Sequence, residues 1–196
     1  SMRQIIIGAR CVMPKLFDCF PYLKSDMLII RKMTENDLDA LNEITGNDHV
    51  YRYIPSFLYK KSRGNLLAAI RNLGGREFDK KRMIGAGIYL CAEPDRLIGL
   101  AEMFDYTARK NQITIGYRLN EAYWNKGIAT EAVRLMVNYL CNDMGVKNLK
   151  AYVMPENVYS IKVLLNNGFI EGITVQGKNW GEKELCNLKE FTYTAR

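Results

Sequence analysis

The stretch Tyr123-Trp124-Asn125-Lys126-Gly127-Ile128-Ala129-Thr130-Glu131-Ala132 constrains this chain more than any other. Before it, Ile113 to Leu119 alternates at the period of a half-buried strand. After it, a helical pattern runs to about Met144. The order is strand, tight turn, helix. The first amides of a helix have no partner within it, and the helix dipole adds partial positive charge at the same end. Such a turn is a ready anion site, above all for phosphate. Gly127 and Ala129 are small enough for a ligand to reach the backbone, and Lys126 supplies a charge nearby. The spacing matches neither G-x-x-x-x-G-K-[ST] nor G-x-G-x-x-G. Gly85-Ala86-Gly87 begins like the second, but Leu90 stands where it needs glycine, and the segment reads as strand. Taken alone, the turn is equally an ordinary helix start.

A second strand–loop–helix unit follows, from Ala151-Tyr152-Val153-Met154 to Asn167-Gly168-Phe169. Pro155 ends the strand and Asn157 is placed to cap the next helix. Ile161, Leu164 and Leu165 give that helix an apolar face, and Gly168 suits its stop.

Four ordered pieces carry a family resemblance. They are Leu28-Ile29-Ile30-Arg31-Lys32-Met33-Thr34 with Glu35-Asn36-Asp37; Ile115-Gly116-Tyr117-Arg118-Leu119; Tyr123-Trp124 through Ala132; and Pro155-Glu156-Asn157 with Ser160 and Asn167-Gly168-Phe169. The chain resembles the acyl-CoA N-acyltransferases of the GNAT superfamily, and within them the Rim-type branch of ribosomal-protein N-terminal acetyltransferases. The resemblance covers Leu28 to the C-terminus. It implies a single α/β domain over 28–196: a mixed, mostly antiparallel sheet flanked by helices, with a central strand pair splayed apart. Residues 1–27 stand as an unassigned N-terminal extension.

Composition narrows the alternatives. One domain is the expectation for 196 residues, and no apolar run reaches membrane-spanning length. The five cysteines form no CxxC pair, and one histidine leaves no zinc site, so no metal is expected. Reduced thiols and a cytoplasmic setting are the simplest expectation. The net charge of +7 is spread along the chain. It suits a polyphosphate cofactor or an acidic partner such as RNA or the ribosome, and does not choose between them.

The coarse reading places a strand over 28–33 and a helix from Thr34 to about Thr45. A second helix fills 59–73 and ends at Gly74-Gly75. Strands follow over 82–92, 96–105 and 112–119, with turns at Glu93-Pro94-Asp95 and Ala108-Asn111. Then come a helix over 128–144, a strand over 147–154, a helix over 158–167 and strands over 169–176 and 186–194.

The resemblance implies acetyl-CoA as co-substrate. Its pyrophosphate would lie on the backbone from Asn125 to Thr130, through Asn125, Lys126, Gly127, Ile128, Ala129 and Thr130. Trp124 occupies the place where members usually carry Gln or Arg. The pantetheine arm would pair like an added strand with Tyr117, Arg118 and Leu119, in the gap between strands 112–119 and 147–154. Glu102, in the otherwise apolar strand 97–104, is the candidate general base. A carboxylate there needs a wet cleft or a partner, and the competing reading is a solvent-facing position. Glu121 and Asp105 are weaker candidates. The helix tyrosine that many members use as acid corresponds to Leu164, which excludes that assignment. Ser160 matches a serine that the Rim-type branch places near the sulfur, and Asn157 would hold pantetheine or water. His49, Tyr53 and Phe57 are the candidate acceptor contacts.

The function implied is acetyl transfer to a primary amine, a peptide or protein N-terminus or a small amine, by direct attack in a ternary complex. The alternatives are a non-catalytic acyl-CoA-binding regulatory module and an RNA- or ribosome-binding protein. No membrane or DNA partner is expected; a homodimer is compatible with the resemblance.

Overall fold

The computed structural model describes residues 6–7, 10–11, 15–54, 63–178 and 186–196. Strands β1 (Ile6–Ile7) and β2 (Arg10–Cys11) pair with each other. The main sheet contains β3 (Leu23–Lys24), β4 (Leu28–Arg31), β5 (Met83–Leu90), β6 (Glu93–Thr107), β7 (Gln112–Leu119), β8 (Asn148–Val153), β9 (Ile170–Lys178) and β10 (Cys186–Thr194). Their order in space is β3-β4-β5-β6-β7-β8-β10-β9. Every neighbouring pair is antiparallel except β7 and β8, which are parallel. Helices α1 (Leu38–Thr45), α2 (Arg63–Gly74), α3 (Arg76–Asp79), α4 (Ile128–Asn138) and α5 (Val158–Asn166) flank the sheet, and the helix expected over 128–144 is α-helical only to Asn138 before a π-helical turn over Tyr139–Asp143. This is the mixed, mostly antiparallel α/β architecture expected from the sequence.

Helices cover both faces of the sheet, which is why β5 is buried along nearly its whole length. Ile84, Ala86 and Ile88 pack into one core with Ala132, Val133 and Met136 of α4 and Leu164 of α5. Met83 and Tyr89 pack into the other with Leu41 and Ile44 of α1 and Leu66, Ile70 and Leu73 of α2. The period-2 alternation of the strand divides its side chains between two helical layers.

Several boundaries differ from expectation for physical reasons. The turn between β5 and β6 falls at Cys91-Ala92, and Glu93-Pro94-Asp95 belongs to β6. Leu90 pairs with Glu93 but Tyr89 with Leu97, so the extra residues form a bulge. Pro94 lacks an amide for the ladder and is accommodated there. The segment after Thr34 begins as a 3-10 turn over Glu35–Asp37 before α1, with the Thr34 amide donating to Asp37 Oδ2 at 2.8 Å. The packing also reaches back before Leu28: Phe17 and Phe20 lie against the Phe78 ring at 5.7 and 5.1 Å, and β3 pairs with β4.

Candidate functional site

β7 and β8 pair at three positions only: Gln112 with Asn148, Ile113 with Leu149 and Thr114 with Lys150. Beyond these, β7 stays on β6 up to Leu119, while β8 stays on β10 up to Val153. The sheet therefore opens into a wedge. Its closed end is pinned, because the amides of Lys147 and Asn148 both donate to Asn111 O, at 3.2 and 3.0 Å. At the open end the Asn120 amide donates to Ile98 O at 2.8 Å, which draws the end of β7 toward β6. The facing backbone edges of Ile115–Leu119 and Ala151–Val153 lack each other as ladder partners.

The loop from β7 to α4 ends at that mouth. Asn125 has φ +59° and Gly127 has φ +75°, so both turn residues adopt the left-handed conformation. Asparagine tolerates that region better than most residues, and glycine enters it freely. Among the described residues, the amides of Asn125, Lys126, Gly127, Ile128, Ala129 and Thr130 have no hydrogen-bond partner, and Gly127 caps α4 without a side chain. Six successive free amides at a helix start form a strong anion cradle. Trp124 does not add to it. Its indole Nε1 donates to Leu119 O at 3.0 Å, bracing the loop against the strand and occupying one carbonyl of β7. The Lys126 ammonium turns back to Ala122 O at 2.9 Å and lies over the Tyr123 ring.

Two cavities meet in the wedge. One, of about 740 Å³, is lined by Tyr117, Arg118, Leu119, Trp124, Asn125 and Gly127 to Thr130, with His49 and the cations Arg52 and Lys162 on its wall. The other, of about 510 Å³, is lined by Glu102, Asp105, Gly116, Ala151 to Val153 and Glu77. Tyr53, Ile54, Tyr117, Arg118, Asn157 and Ser160 line both and so mark their junction. Arg52 and Lys162 went unnoticed in the sequence, where each is one of many dispersed cations.

The polar groups at this junction are organised in pairs. Arg118 Nη2 donates to both oxygens of Glu102, each at 3.1 Å, with only 4% and 8% of the two side chains exposed. Glu102 therefore has the partner that a buried carboxylate requires, the Arg118 guanidinium, while it also lines the cavity. Arg118 also hydrogen-bonds the Tyr51 phenol, whose pKa is raised above the ordinary value, first by burial. Opposite, Tyr117 Oη lies 3.0 Å from Ser160 Oγ. Asn157 caps α5, its Oδ1 accepting from the Ser160 amide at 3.2 Å, so one end of the carboxamide is already engaged.

On the outer wall, Glu121 accepts from Asn47 Nδ2 and lies against His49 Nδ1, each at 2.8 Å. The Asn47 bond, then the His49 bond, hold the Glu121 carboxyl below its usual pKa. His49 and Tyr53 thus belong to cavity walls, while Phe57 lies outside the described residues. Among the described residues, no helix is long and apolar enough to cross a membrane.

Comparison with known proteins bears on the family and the fold. The family described as "Acetyltransferase (GNAT) domain" matches residues 27–170. An uncharacterized N-acetyltransferase of Bacillus subtilis, YoaA, is 29% identical over 150 residues, spanning 76% of this chain and 83% of that one. Mycobacterium smegmatis RimJ, solved in complex with CoA-disulfide, superposes with a TM-score of 0.76 at 22% identity, covering 86% of this chain and 82% of that one. The microcin C7 self immunity acetyltransferase MccE, solved in complex with acetyl-CoA and AMP, gives a TM-score of 0.76 at 15% identity, covering 87% and 94% of the two chains.

Proposed function

The chain belongs to the GNAT family of acetyltransferases, and from that premise we propose that it transfers acetyl from acetyl-CoA to a primary amine by direct attack in a ternary complex. The observation that carries the reading is the wedge: two strands parted beyond Thr114, with the free amides of Asn125 to Thr130 at its mouth. The residues fit the co-substrate. The amide row suits a diphosphate, with Thr130 on the same cavity wall. The edge of β7 at Tyr117 and Arg118 suits the amides of a pantetheine arm. Arg52 and Lys162 add positive charge for the remaining phosphate. The co-substrate supplies an activated acetyl carbon, and the protein supplies alignment, a proton acceptor and stabilisation of the leaving sulfur.

In this reading the amine enters through the cavity bearing Glu102, Asp105 and Glu77, with His49, Tyr53 and Phe57 as contacts near the junction. Glu102 takes the amine's proton, directly or through one water. Glu102→Gln is expected to lower kcat at least ~10-fold with acetyl-CoA affinity nearly unchanged; full turnover in that variant would remove Glu102 as base.

Only a neutral amine can attack, so the acceptor's own acidity decides how much of it is reactive. At pH 7.5 a peptide α-amine is about one third neutral, whereas a lysine-type amine is neutral only to about 0.1%. We therefore assign a peptide or protein N-terminus as the preferred acceptor, ahead of small alkylamines. The test is thiol release from acetyl-CoA with a panel of peptides, amino acids and polyamines. The α-amine peptides should lead, and their rate should climb with pH as the amine deprotonates and level off above about pH 9. A rate still climbing past about pH 9.5, or polyamines leading the panel, would reverse the assignment.

A further inference from the structure

We propose that Tyr117 is a positioning residue for acyl transfer: its phenol donates to Ser160 Oγ and so turns the serine's own proton toward the thioester sulfur. The inference rests on the reading of the site given above, and it adds a side-chain role to a residue whose backbone alone was assigned one.

Donor and acceptor must meet where the two cavities join, and both Tyr117 and Ser160 line that junction. They come from β7 and α5, and their hydroxyls lie 3.0 Å apart. Ser160 stands in the first turn of α5, with no carbonyl of that helix behind it, and its hydroxyl reaches across the wedge. Its amide is tied to Asn157 Oδ1, which holds the first turn of α5 in place.

A phenol is a far stronger acid than an alkyl alcohol, so the phenol is the natural donor of the pair. Burial raises the Tyr117 pKa, so the phenol stays protonated at neutral pH. With its lone pair engaged by Tyr117, Ser160 donates onward, and successive hydrogen bonds of this kind polarise one another. Leu164, at the α5 position where a tyrosine acid would stand, is apolar and 3% exposed. The phenol beside Ser160 comes from the strand rather than the helix.

The transfer balances with both hydroxyls unchanged at the end. The nitrogen lone pair forms the bond to the acetyl carbon and the carbon–sulfur bond breaks. The sulfur keeps that electron pair and ends with one proton, and the nitrogen has given one up. The two hydroxyls hold the charge that develops on sulfur as the bond opens.

The experiment is a double-mutant cycle on the full chain, read as kcat and KM for acetyl-CoA by thiol release, with the thermal midpoint of each variant recorded. Ser160→Ala should lower kcat roughly 10- to 100-fold, and Tyr117→Phe should lower it roughly 10-fold with KM for acetyl-CoA changed less than about threefold. Tyr117→Phe should cost nothing further once Ser160 is alanine, because it acts through the serine. Additive losses, an unchanged kcat in Tyr117→Phe, or a greater loss there than in Ser160→Ala would overturn the proposal while leaving acetyl transfer intact. Absence of thiol release by the unaltered protein across the amine and peptide panel would sink the transfer reading and this role with it.

Discussion

Replacing Gly127 with valine is expected to weaken acetyl-CoA binding by ~100-fold, about 2.7 kcal/mol, while the chain still folds. Gly127 has φ +75° at the start of α4, where a β-branched residue is strained by roughly 1–2 kcal/mol. A Cβ built there meets no other atom within 4 Å, so the protein itself leaves room for the side chain. That room lies beside the free amides, and the valine would stand where a diphosphate must approach. The thermal midpoint of the free protein should therefore drop modestly, and its rise on titration with acetyl-CoA should nearly vanish. An affinity equal to that of the unaltered chain would place the phosphate site elsewhere.

Arg118→Met is expected to produce the largest loss of stability, roughly 3–5 kcal/mol, or on the order of 10 °C in thermal midpoint. Both partners of the Glu102–Arg118 pair are almost fully buried, so removing the guanidinium strands a carboxylate in a low-dielectric site. Methionine keeps much of the side-chain volume, which isolates the effect of charge from that of a cavity. Adding Glu102→Leu to that variant should restore most of the lost stability. If it restores none, the arginine matters through its packing on Tyr51, 5.4 Å from the ring centroid, and not through the ion pair.

The elements that position the site were legible because each carries a local signal. The alternation of Ile113 to Leu119 and the charged turn before it placed β7, and Asn157 announced the cap of α5. Gly127 and Asn125 announced the left-handed turn. The short helix Arg76–Asp79 was missed because four residues after Gly74-Gly75 carry no periodicity to read. The side-chain pairs were missed because they depend on register and on how α5 is rotated. Glu102 lies opposite Gly116 across the β6–β7 hairpin, so Arg118 is its diagonal neighbour. That contact depends on the irregularity between Phe104 and Thr107: plain pairing outward from Thr107 and Gln112 would set Glu102 opposite Tyr117, and only the one-residue shift puts Gly116 there and Arg118 on the diagonal. No comparable rule brings Tyr117 to Ser160, since β7 and α5 meet only through the three-dimensional course of the chain.

The three-position ladder between β7 and β8 also has a mechanical meaning. It leaves the sheet as two plates, β3 to β7 and β8 with β10 and β9, stitched along a short seam at one end. An amide-bearing chain laid in the gap would continue that seam from both sides. A thioester carrier seated there would be a strut as well as a reagent, and the acceptor chamber would stiffen on loading.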